Sequence, residues 1–122
     1  MSDFGRFTPS DLIQELKVEG EQRWSAQMVV AFDNTSILIS SREKEEDALR
    51  QLKEAVELGG VPVGLIAADS VVEEGRQIVS ITHRVFPGID DVPESHKLMH
   101  RITTITEYMR QQLLKFEKGH DT

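Results

Sequence analysis

The chain has 122 residues, 39% of them hydrophobic, no cysteine, and 14 basic against 21 acidic groups, a net charge of −7. That length and apolar content describe one globular domain, residues 1–122, with a core large enough to support itself. The absence of cysteine excludes disulfides, thiolate metal centres, iron–sulfur clusters and a catalytic thiol, and the acidic balance opposes binding to nucleic-acid phosphates or to anionic membranes.

Residues 1–7 are expected to be poorly ordered. Met1 to Gln14 carries no apolar run of signal-peptide length and no stretch approaches the roughly 18 apolar residues of a membrane helix, so the sequence reads as cytoplasmic. Thr8-Pro9-Ser10-Asp11 is a helix start: Thr8 caps, Pro9 suits the first helical position, and Asp11 bonds back to the cap. Leu12, Ile13 and Leu16 give that helix its apolar face, and Glu19-Gly20 is its expected end.

From Gln22 to Phe32 the pattern alternates. Trp24, Ala26, Met28, Val30 and Phe32 share one face, with Val29 and Ala31 making the second half apolar on both. Asp33-Asn34-Thr35 is turn chemistry, and Ile37-Leu38-Ile39 returns as the second strand of a hairpin. The match of Asn34-Thr35-Ser36 to a glycosylation acceptor is read as part of that turn.

Ser40 and Glu43 predict a capping box for a second helix, whose first turns are loaded with Glu43, Glu45, Glu46 and Asp47 where the helix dipole favours negative charge. Leu49, Leu52, Ala55 and Val56 form its buried face, and Gly59-Gly60 ends it. Val61 to Ala68 is apolar on both faces, as a central strand requires, although Pro62 is expected to keep its first residues out of the ladder. Glu73-Glu74-Gly75 is a hairpin turn, and Gln77 to Phe86 returns with Val79, Ile81, His83 and Val85 on one face.

After a turn at Pro87-Gly88, Asp91, Pro93 and Glu94 start a last helix from Pro93 to about Lys118, with residues 118–122 expected to be poorly ordered. Leu98, Ile102, Ile105, Met109, Leu113 and Phe116 recur at steps of three and four and form a narrow apolar stripe. The fold class is therefore α+β: helix, hairpin, helix, hairpin, helix, with a four-stranded mainly antiparallel sheet and the long C-terminal helix packed on it. This element order, with acidic charge and a long apolar last helix, resembles small acidic dimers of the secretion-chaperone type and roadblock-type dimerisation modules. The resemblance is one of architecture, and it implies association with protein as the function.

Residues that carry chemistry are sparse. His96 and His100 have the i, i+4 spacing of a metal pair, and they lie opposite the apolar stripe. Lys97 stands where zinc hydrolases place a glutamate, and Glu107 is two turns away, so no third ligand is assured and no metal or other cofactor is expected. His83, among valines and isoleucine, reads as a core or rim histidine with a backbone partner. Gly59-Gly60 precedes a strand, whereas a phosphate loop follows one, and no nucleophile elbow is present. With one Trp and one Tyr, far apart in sequence, no aromatic stacking platform is expected.

The expected function is a non-catalytic protein-binding or dimerisation module, a small acidic adaptor or chaperone-like protein forming a homodimer. Its interface would be Leu98, Ile102, Ile105, Met109, Leu113 and Phe116, a ridge longer than one sheet hides. Two alternatives are an acidic inhibitor or immunity-type protein for a basic partner, and a small enzyme or metal-binding protein using His83, His96 and His100.

Overall fold

A computed structural model describes residues 8–86 and 95–120, apart from the side chains of Ser70, Gln77, Ser95 and residues 113–120. The elements follow the order α1 (Pro9–Gln22), β1 (Ser25–Ala31), β2 (Ser36–Ser40), α2 (Glu45–Glu57), β3 (Val61–Glu73), β4 (Arg76–Val85) and α3 (Ser95–His120). Among the described residues the strands form one antiparallel sheet in the order β2-β1-β3-β4. The protein is α+β, and its helices lie on both faces of that sheet.

Two cores result, one on each face. Ala26, Met28, Val30, Ile39, Leu65 and Ala67 meet Leu12, Ile13 and Leu16 of α1 and Ala48, Leu52 and Ala55 of α2. On the other face Val29, Ala31, Val63, Ile66, Ala68 and Ile81 meet Ile102 of α3, with Leu98, Ile105 and Met109 packed around them. The inner strands β1 and β3 are thus covered twice, which is why their sequences lose the polar half of the alternation.

The first helix starts as expected: the Thr8 backbone N–H donates to Asp11 Oδ2 at 3.0 Å and the Asp11 N–H to Thr8 Oγ1 at 3.2 Å. It then runs through Gly20 to Gln22, past its expected end. Gly20 serves close packing, since a Cβ there would overlap Ser41 Oγ. Lys17 Nζ, one turn earlier, donates to the carbonyls of Ser41 and Glu43 and ties α1 to the segment before α2.

The expected capping box at Ser40 and Glu43 does not form. The Glu43 N–H bonds to the Ser40 carbonyl at 3.2 Å, Ser40 Oγ accepts from the Arg42 N–H at 3.2 Å, and the Glu43 carboxylate is taken by Gln51 Nε2. Helix α2 starts at Glu45 with Lys44 as a cap that makes no side-chain bond. At its other end the Gly60 and Gly59 N–H groups donate to Ala55 and Val56 carbonyls at 2.8 and 3.1 Å, with Gly59 at φ +92°. That is the paired-bond glycine stop the sequence implied.

Strand β3 begins at Val61, so Pro62 lies inside the ladder rather than before it. The register slips at that point, Val29 facing Gly64 while Val30 faces Pro62, and a bulge is where a strand tolerates proline. At its far end β3 runs five residues past Ala68, the last residue paired with β1. Beyond that point only β4 pairs with it, so Val71, Val72 and Ile78 of this two-stranded arm are exposed.

Candidate functional site

The stripe on α3 is consumed by the chain's own sheet along most of its described length. Ile102 is 1% exposed, and Leu98, Ile105 and Met109 are partly buried against the same core. Leu113 and Phe116 lie outside the described side chains. The helix sits tightly at one point, where a Cβ on Gly64 would be 2.7 Å from Ile102 Cδ1 and would overlap the Arg84 carbonyl oxygen.

The helix does not cover the sheet evenly. It packs on β3 and β4, reaches β1, and leaves the outer strand β2 partly open. Leu38, directly opposite the buried Val29 and so on the same face, is exposed. Along this open flank α3 presents Lys97, Arg101, Thr104, Tyr108 and Gln112, a row spaced four, three, four and four residues. At 1.5 Å per residue that row spans about 22 Å.

Two clefts open on this flank. The one nearer the helix C-terminus, about 320 Å³, is lined by Trp24, Ser25, Arg42, Ala68, Tyr108, Met109 and Gln112. Trp24 is 48% and Tyr108 63% exposed. The chain's single Trp and single Tyr, 84 positions apart in sequence, thus share one cleft. Arg42 is held there by an Nη2 bond to the Trp24 carbonyl at 3.0 Å, and Arg23 next to Trp24 is fixed by Asp69 Oδ2 at 3.3 Å and Glu19 Oε1 at 3.4 Å.

The second cleft, about 420 Å³, lies between α3 and the β1–β2 turn, lined by Asn34, Ser36, Lys97, His100, Arg101, Thr104 and Ile105. Arg101 reaches across to the Asp33 carbonyl through Nη2, which joins helix and turn. Ser36 and His100 share this cleft, yet no hydrogen bond joins them, so the nucleophile–base contact that activates a hydroxyl is not formed.

The histidines do not converge. His83 keeps the register parity of Ile81 and Val85, but it is exposed rather than in the core, because β4 is an outer strand and α3 leaves this position uncovered. His96 and His100 are exposed. Among the described residues no three histidine or carboxylate side chains are grouped to hold a metal ion. The expected cap at Asp91–Glu94 lies outside the described residues. Among the described residues no helix is long and apolar enough to cross a membrane.

No family model matches this chain, and neither a curated protein nor a solved structure matches it.

Proposed function

We propose that the chain is a non-catalytic protein-binding module whose partner is a second copy of itself, and that the contact is centred on the Trp24–Tyr108 cleft. The observation behind this reading is the gathering of Trp24, Tyr108, Arg42 and Met109 around one partly apolar cleft. Trp, Tyr, Arg and Met are the residue types over-represented at protein–protein contacts, and the first three dominate the side chains whose truncation costs most. The exposed Leu38, on the same sheet face, adds apolar area to that face.

This moves the interface from the apolar stripe of α3 to its flank. Leu98, Ile102, Ile105 and Met109 contribute chiefly as the packing that fixes the flank in place. A charged residue at Met109 would damage the monomer as well as any dimer and is a poor test.

Sedimentation equilibrium of the wild-type chain over a wide concentration range tests the proposal. Trp24, being unique, reports locally by fluorescence. The expected result is reversible dimerisation with a blue shift of tryptophan emission as concentration rises, and a Tyr108→Ala chain that stays monomeric with unshifted emission. A wild-type chain that is monomeric throughout, or a dimer indifferent to Tyr108→Ala, removes the proposal.

A further inference from the structure

We propose that the cleft between α3 and the β1–β2 turn binds the phosphoryl group of a small phosphate monoester. Its walls are unusual for this molecule. The whole chain carries a net charge of −7, yet none of the described lining residues is acidic, and Lys97, His100 and Arg101 stand on one helix face within five positions. From the sheet side Asn34 and Ser36 add an amide and a hydroxyl, and Thr104 adds a second hydroxyl from the helix. Asp33, next in sequence to Asn34, is an exposed acidic residue on the same turn.

The donor set selects the ligand. Six side chains able to donate hydrogen bonds, drawn from two elements, exceed what the two oxygens of a carboxylate use, and they suit the three terminal oxygens of a phosphate monoester. Arg101 is half-buried and already oriented, one of its five N–H groups being committed to the Asp33 carbonyl, so the remaining donors of a rigid fork are presented at little entropic cost. The volume of about 420 Å³ lies in the range of small-ligand sites and exceeds what a bare anion needs. Ile105, partly buried at the cleft wall, gives the organic part of an ester an apolar surface. The site shares no described lining residue with the Trp24–Tyr108 cleft, and it stands or falls separately from dimerisation.

The test is an amide NMR titration of the full chain at constant ionic strength with inorganic phosphate and with phenyl phosphate, and with sodium acetate and sodium chloride as controls. Saturable shifts confined to Asn34, Ser36, Lys97, His100, Arg101 and Thr104 are expected, with phenyl phosphate binding at least about threefold tighter than inorganic phosphate. A Lys97→Ala/His100→Ala chain, both positions being exposed, should keep its melting temperature and lose affinity about tenfold. Shifts that acetate or chloride reproduce, phosphate shifts scattered over the surface, equal binding of the two phosphates, or a double variant that binds like the wild type would each overturn the proposal.

Discussion

Gly64 shows how a single residue sets the distance between two layers. It faces α3 from the second inner strand, and the Arg84 carbonyl and Ile102 Cδ1 occupy the space its side chain would need. Gly64→Ala must therefore push α3 outward or bend β4 away, and overpacking of this kind costs about 1–3 kcal/mol. Urea unfolding should show a lowered midpoint with an unchanged slope. A variant as stable as the wild type would mean that the helix is not seated on the sheet at this point. The sequence offers no warning of this contact, because a glycine inside an apolar run has the same appearance whether it relieves a bulge or admits a neighbour. Gly59 and Gly75 differ in this respect. Both sit at element ends with positive φ, +92° and +76°, and a glycine after a helix or inside a tight turn announces that conformation. Glu74 shares the left-handed region at φ 52°, so the β3–β4 turn has both central residues at positive φ, a geometry a glutamate in the sequence does not advertise.

At the scale of the element, α3 separates what periodicity reveals from what it conceals. Its three–four spacing places Ile102 and Ile105 on the buried side, and the structure puts them there. The same spacing is silent on which half of the sheet the helix covers, since that depends on the crossing between a helix and two strands remote in sequence. For that reason the Trp24–Tyr108 cleft was not legible: Trp24 begins the alternating face of the first strand, Tyr108 stands one position before Met109 of the helix stripe, and only the tertiary packing joins them. Two substitutions on this helix should then behave oppositely. Ile102→Ala removes a side chain 1% exposed and should cost about 2–5 kcal/mol. Tyr108→Ala, at 63% exposure, should change monomer stability by no more than about 0.5 kcal/mol. Chemical denaturation at concentrations low enough to keep both chains monomeric compares them without linkage to association. A large loss from Tyr108→Ala under those conditions would make the ring part of the fold and not a contact surface.

For the molecule as a whole, charge decides how association responds to salt. Two chains of net −7 repel one another at long range, and bringing them together is opposed by that field at low ionic strength. The contact proposed at Trp24 and Tyr108 is apolar and aromatic at its centre, so added salt screens the repulsion and leaves the attraction largely intact. The dimer should therefore tighten as sodium chloride is raised from about one-hundredth molar, where the Debye length is about 30 Å, to about 0.15 M, where it is about 8 Å. Sedimentation equilibrium across that series checks the sign. The opposite trend, an association that weakens with salt, would mean that complementary charges hold the copies together. The exposed acidic start of α2, with Glu45 and Glu46, would then be the surface to place against Lys97 and Arg101 of a neighbour. Such a contact stops at two if the acidic and basic patches meet reciprocally about a two-fold axis, and grows beyond a dimer if they meet head to tail.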